Sequence, residues 1–255
     1  MPLTLDTVPC RSDNYAFLIH DDASGATAVV DVPDAAPVLA ALEARGWHLS
    51  DILITHHHGD HIDGVDALRA VTGAAVWGAA ADQHRLPALD HSLAPGVAQH
   101  LLGETMTVID VPGHTVGHIA YYFPKSALLF SGDSLMGLGC GRLFEGTPDQ
   151  MWASLSHLAG LPDDVTVCSG HEYSQSNARF ALSIDPNNAA LQARATKIDR
   201  DRAAGKSTIP TELWLEKATN PFLRAADPSL KAALGLSNAA DSAVFAQMRR
   251  MKDNF

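Results

Sequence analysis

The chain has 255 residues, 46% of them hydrophobic, enough to bury a full core as one large domain or as a domain with a smaller companion. Eighteen Lys and Arg stand against 29 Asp and Glu, and the formal net charge of −11 repels nucleic acid and anionic membrane at long range. Three cysteines, Cys10, Cys140 and Cys168, form no C-x-x-C pair, which argues against both a disulfide framework and a thiolate zinc site.

The opening residues carry Asp6 and Asp13 and lack a basic stretch leading into an apolar one, so no targeting segment is expected. No run approaches the ~20 apolar residues of a membrane helix, and the expected setting is cytoplasmic. Short β-rich runs at 14–20, 26–32, 51–55, 74–77, 106–111, 119–123, 128–130 and 165–168 are apolar almost throughout, which predicts strands covered on both faces. Helices are expected over 33–45, opened by Asp34 and closed before Gly46, over 62–71, and from about 149 to 158 after Thr147-Pro148. After His171 no strand is expected. The remainder reads as helices punctuated by Asp185-Pro186, Gly205, Pro210, Asn220-Pro221 and Asp227-Pro228. These patterns predict an α/β protein, with one domain over 1–173 and a smaller α-helical domain over 174–255.

The chemistry concentrates in Thr55-His56-His57-His58-Gly59-Asp60-His61-Ile62-Asp63-Gly64. A strand ending at Thr55 lets His56 and His58, two residues apart, point to one side, while Asp60 and His61 open the next helix. Imidazole nitrogen and carboxylate oxygen at this density suit divalent transition metals, and two ions use the groups better than one. Further donors follow other apolar runs beside glycine: His114 in Pro112-Gly113-His114-Thr115, Asp133 in Ser131-Gly132-Asp133, and His171 in Ser169-Gly170-His171-Glu172. Loops at strand ends are where a rigid scaffold gathers functional groups. His20, His48, His84, His91, His100 and His157 read as ordinary histidines, and His57 and His118, out of phase with the ligands, as supporting groups.

The order His56-x-His58-x-Asp60-His61, His114, Asp133, His171 resembles the metallo-β-lactamase superfamily, which implies an αββα sandwich with metals at one edge. Within it the chain looks most like the glyoxalase II, or hydroxyacylglutathione hydrolase, family. The resemblance is carried by Pro112 to Thr115, Gly139-Cys140-Gly141-Arg142, Phe144-Glu145-Gly146-Thr147, Gly170-His171-Glu172-Tyr173, Asn220-Pro221-Phe222 and the ending Arg249 to Phe255. It implies one metal on His56, His58 and His114, a second on Asp60, His61 and His171, and Asp133 between them. Asp60 and Asp133 would be the catalytic carboxylates, and Arg142, Phe144, Tyr173, Arg249 and Lys252 would hold glutathione.

The implied reaction is hydrolysis of S-(2-hydroxyacyl)glutathione thioesters such as S-D-lactoylglutathione to glutathione and D-lactate, in methylglyoxal detoxification. A hydroxide held between two divalent ions, zinc first and iron or manganese as alternatives, would attack the thioester. A monomer with a small-molecule substrate and no nucleic-acid or membrane partner is expected. The competing readings are a glutathione persulfide dioxygenase with a single iron and another hydrolase of the same fold. Two positions depart from the family pattern: Arg142 stands where lysine is usual, keeping the charge with different donor geometry, and Phe144 stands where tyrosine is usual and lacks its hydroxyl.

Overall fold

The computed structural model describes residues 1–255, which divide into two compact units. The first comprises Met1–Asp110 with Gly117–Gly132, and the second Val111–Val116 with Asp133–Phe255.

In the first unit a six-stranded sheet runs in spatial order β1 (Thr4–Cys10), β2 (Asn14–His20), β3 (Ala26–Val30), β4 (His48–Leu53), β5 (Ala75–Ala79) and β6 (His91–Leu93). β1, β2 and β3 pair antiparallel, and β3 to β6 pair parallel. The parallel pairs need crossovers, supplied for β3–β4 by α1 (Ala35–Arg45) and for β4–β5 by α2 (Gly59–Ile62) with α3 (Val65–Thr72). Asp34 caps α1 through its carboxylate, as the sequence predicts.

The expected helix over 62–71 is instead broken between α2 and α3. Val32 takes the bonds a continuous helix needs there: its N–H donates to the His61 carbonyl (2.8 Å) and its carbonyl accepts from Gly64 N–H (3.0 Å). β7 (Gln99–Leu101), β8 (Glu104–Asp110), β9 (Ile119–Phe123) and β10 (Leu128–Gly132) form an antiparallel meander.

β2 is buried along its whole length because its two faces meet different layers. Ala16 and Leu18 pack with Val38 and Leu42 of α1 and Val65 and Leu68 of α3. Phe17 turns the other way and lies 5.7 Å from Phe130 of the meander, where the Tyr121 hydroxyl donates to the Ile54 carbonyl (2.6 Å). β1 was not expected: Pro9 and alternating polar residues obscure it, and an edge strand tolerates both.

The second unit holds a hairpin of β11 (Leu135–Met136) and β12 (Gly139–Cys140), then α4 (Pro148–Ala159), opened by a reciprocal Thr147–Gln150 capping box. β13 (Thr166–Ser169) pairs antiparallel with β14 (Thr211–Glu212). β14 corrects the expectation of no strand after His171; two residues are too few to carry a readable period. The helices are α5 (Ser174–Ile184), α6 (Ala189–Ala203), α7 (Leu213–Thr219), α8 (Pro228–Ala233) and α9 (Asp241–Asp253). Leu138 packs among Ala178, Ala181, Leu191, Ala195 and Ile198 of α5 and α6. No helix is long and apolar enough to cross a membrane.

Candidate functional site

In the first unit the chain leaves β4, passes Ile54 and Thr55, and runs extended through His58 before α2 begins at Gly59. Asp31, just past β3 and itself in the left-handed region at φ 55°, organises this stretch. Its carboxylate accepts from Thr55 N–H, from the Thr55 hydroxyl and from His61 Nδ1, each at 2.8 Å. An acceptor on Nδ1 fixes the tautomer of His61 and leaves Nε2 as its lone-pair nitrogen. Because the Thr55 hydroxyl donates to Asp31, it accepts from His56 Nδ1 at 3.0 Å, which sets His56 in the same way.

His56 Nε2 and His58 Nδ1 then lie 3.2 Å apart. Two nitrogens bound to one tetrahedral ion sit about 3.3–3.4 Å apart, given metal–nitrogen distances of about 2.0–2.1 Å, so the spacing fits a shared metal. The His61 ring is 4.2 Å from that of His56, and His118 stacks on His56 at 4.6 Å. Asn14 fixes Asp60, donating to its carbonyl (3.0 Å) and to its carboxylate (3.2 Å). Gly132, at φ 49°, allows β10 to come close: a Cβ there would meet the Thr55 hydroxyl at 2.6 Å and His118 at 2.8 Å. His57 faces a different pair, with Nδ1 3.1 Å from buried Asp82 and Nε2 3.3 Å from Arg85.

In the second unit Asp133 Oδ2 lies 3.5 Å from His114 Nε2 and 3.3 Å from His171 Nε2. One carboxylate oxygen thus stands at ligand-to-ligand spacing from two imidazoles. His114 Nδ1 donates to the Arg142 carbonyl at 2.7 Å, which reserves Nε2 for ligation. All three ligand candidates are buried. These histidine and aspartate clusters are a metal-binding donor set, softer than the all-oxygen sites of calcium or magnesium and free of thiolate.

Two of the cationic candidates, Arg249 and Lys252, lie on the last turns of α9. Arg249 is only 7% exposed, and its guanidinium is committed to the Cys140 carbonyl (2.9 Å) and to Asp253 Oδ1 (3.1 and 2.9 Å). Asp253 Oδ1 also holds Arg142 Nε at 3.3 Å, so one carboxylate joins two of the expected substrate-binding cations. Lys252 donates to the carbonyl and hydroxyl of Ser176, both at 3.2 Å, and its ammonium lies 5.5 Å from the rings of Phe180 and Phe255. Burial, with Arg249 and Arg179 nearby, pushes this ammonium down to about 8. Phe144 is exposed with its ring edge against His114, and Tyr173 stacks on His171 at 4.7 Å.

Within each unit the expected ligands converge: His56, His58 and His61, with Asp60 tied down beside them, in the first, and His114, Asp133 and His171 in the second. Sequence reasoning passed over Asp31, Asn14, Asp82 and Asp253. Only Asp31 left a trace, as a carboxylate ending the apolar run Ala28-Val29-Val30.

The layered fold and this donor chemistry define a metallohydrolase scaffold of the metallo-β-lactamase type, an α/β αββα sandwich with a C-terminal helical region. The Metallo-beta-lactamase superfamily model matches residues 6–171, and the model for the Hydroxyacylglutathione hydrolase C-terminus matches 172–255. Proteins named hydroxyacylglutathione hydrolase from Cereibacter sphaeroides and Ruegeria pomeroyi are 61% and 60% identical, over 100% of this chain and of theirs. Among solved structures, ETHE1 from Myxococcus xanthus matches with a TM-score of 0.68 at 23% identity, over 98% of this chain and 91% of its own. TTHA1623 in a di-iron-bound form matches with a TM-score of 0.63 at 25% identity, over 86% and 100%. The chain belongs to the hydroxyacylglutathione hydrolase family of the metallo-β-lactamase superfamily.

Proposed function

We propose that this chain is a binuclear metal-dependent thioester hydrolase that converts S-(2-hydroxyacyl)glutathione, such as S-D-lactoylglutathione, to glutathione and the 2-hydroxy acid, in methylglyoxal detoxification. The observation that carries the reading is identity near 60% along the whole length of relatives bearing the hydroxyacylglutathione hydrolase name. The same relatives weigh against a single-iron persulfide dioxygenase.

His56, His58 and His114 would hold one divalent ion and Asp60, His61 and His171 the second, with Asp133 shared. Zinc comes first, and iron or manganese suits the same donors. The matching ligand-to-ligand spacings of His56 with His58, and of Asp133 with both His114 and His171, support this assignment. So does the likeness to a protein described in a di-iron-bound form. Bound there, the ions supply a water deprotonated near neutral pH and an electrophile for the thioester carbonyl.

The chain's own residues do the rest. Asp31, Thr55 and the Arg142 carbonyl keep three imidazoles in the ligating tautomer. Arg142 and Lys252, backed by Asp253 and Arg249, offer positive charge to the carboxylates of glutathione, while Phe144 and Tyr173 offer ring faces. The departing thiolate, with a conjugate-acid pKa of about 8.5 by analogy with cysteine, needs no general acid. We assign residues 1–173 to catalysis and 174–255 to substrate binding. A monomer in the cytoplasm completes the proposal, consistent with three cysteines that are all free and buried thiols.

The test is a panel of glutathione thioesters on metal-loaded protein with metal counting. Two metal equivalents per chain and release of glutathione from S-D-lactoylglutathione are expected. One iron per chain, oxygen uptake and no thioester turnover would overturn the proposal.

A further inference from the structure

Asp133 and Arg142 bracket the β11–β12 hairpin, and both matter to the second unit's ligand set. Asp133 is the shared carboxylate, and the Arg142 carbonyl sets the tautomer of His114. The hairpin itself is poorly made for rigidity: two residues per strand, Leu138 at φ 56°, and glycine at 137, 139 and 141. Short glycine-rich backbone of this kind is held by outside partners or not at all.

Those partners come from the helical tail. Glu216 of α7, fully buried, accepts the Leu138 N–H at 2.9 Å and the Asn220 amide at 3.0 Å through Oε2. Its other oxygen pairs with Arg194 of α6, which also donates to Thr219 (2.7 Å) and Thr211 (2.9 Å). The Asn220 amide donates in turn to the carbonyls of Met136 (3.1 Å) and Gly139 (2.9 Å), and Asn177 donates to that of Gly137 (3.0 Å). Every residue from 136 to 139 therefore has a backbone group bound by a buried side chain of the tail. Gly141 shows how tightly the far end is packed: a Cβ there would lie 2.1 Å from the Asp133 carbonyl oxygen.

A buried Arg–Glu pair is a poor source of stability compared with apolar packing, but it fixes geometry. We propose that Glu216, with Arg194 and Asn220, is a positioning group that holds the Met136–Cys140 backbone and thereby sets the affinity of the metal site at Asp133, His114 and His171. The helical tail is then part of the metal scaffold as well as of substrate binding. The proposal rests on reading those three residues as ligands.

Two variants test it. Glu216→Gln keeps an acceptor for Leu138 but leaves Arg194 uncompensated, so it risks the fold. Asn220→Ser keeps a side-chain oxygen to cap the Phe222 N–H, which Asn220 now does at 3.0 Å, and removes the amide's reach to the hairpin together with its bond to Glu216 Oε2, while Arg194 keeps its carboxylate partner. Zn²⁺ affinity would be measured by competition with a chelating dye, alongside the Co²⁺ absorption spectrum and the melting temperature of metal-free protein. In Asn220→Ser, and in Glu216→Gln if it folds, Zn²⁺ affinity is expected to fall about 10- to 100-fold with a changed Co²⁺ spectrum. A lower melting temperature with wild-type Zn²⁺ affinity and an unchanged Co²⁺ spectrum in Asn220→Ser overturns the positioning role and leaves a structural one. Failure of the wild-type protein itself to bind metal overturns the ligand assignment instead.

Discussion

Asp31 carries more consequence than any other residue outside the ligand set, because one carboxylate meets the backbone and hydroxyl of Thr55 and the ring of His61. In Asp31→Asn an amide N–H₂ would face the His61 Nδ1–H or the Thr55 hydroxyl, and His61 is pushed toward the tautomer that cannot ligate. Metal affinity is expected to drop about 10- to 100-fold, read as metal per chain after dialysis against a weak chelator; full retention would remove Asp31 from the account. Phe144 invites the opposite experiment. Its exposed ring ends where a phenol would carry a donor, so Phe144→Tyr should lower KM for S-D-lactoylglutathione by about 2- to 10-fold, the span of one net hydrogen bond, with kcat unchanged. The convergence of His56, His58 and His61, and of His114, Asp133 and His171, was legible because histidine and aspartate at strand ends beside glycine are rare without a purpose. Their supporters were not: Asn14 reaches Asp60 across 46 positions and Asp31 reaches His61 across 30, and no local pattern encodes such partners.

The last two turns of α9 carry Arg249, Lys252 and Asp253, and their spacing gives them different environments: Arg249 is buried, while Lys252 and Asp253 lie nearer the surface. Lys252 faces Arg249 and Asp253 on its own helix and Arg179 and Ser176 on α5, and burial lowers its ammonium to about 8. Below that pH it is charged and attracts a substrate carboxylate; above it the charge is lost. KM for the thioester is therefore expected to rise between pH 7 and 9, and Lys252→Arg, always charged, should flatten the rise. An unchanged pH profile in Lys252→Arg would show that another group titrates. For stability the sign is the reverse: the folded chain holds this proton less tightly than the unfolded chain, whose lysine value is 10.5, so the penalty this group places on folding is relieved as pH rises from 8 to 10.5. At this scale apolar runs announced strands such as β2 and β10. Helix breaks were hidden wherever a distant backbone intervened, as Val32 does between α2 and α3. β1 and β14 exist because a neighbouring strand pairs with them, which their own residues do not declare.

Across the whole chain the net charge is −11, and the proposed ligands gather carboxylates and imidazoles that are hard to keep together without a counter-ion. Apposed donors and desolvated acids cost free energy in the metal-free protein. A divalent ion that binds the folded chain and not the unfolded one returns it. One site at a free metal concentration a hundredfold above its dissociation constant adds about 2.7 kcal/mol, and each kcal/mol moves the melting temperature of a chain this size by roughly 2–4 °C. Removing the metal with a chelator should thus lower the melting temperature by roughly 5–10 °C for each ion lost, and restoring Zn²⁺ should recover it. The proposed assignment, with ligands from residues 56–61 and from 114, 133 and 171, makes a stronger demand: if it holds, calorimetry should show one transition shifting as a whole. A shift confined to a minor early transition, with the main one unmoved, would mean that the metal stabilises only one ligand set, and the pairing of the two sets through Asp133 would have to be given up.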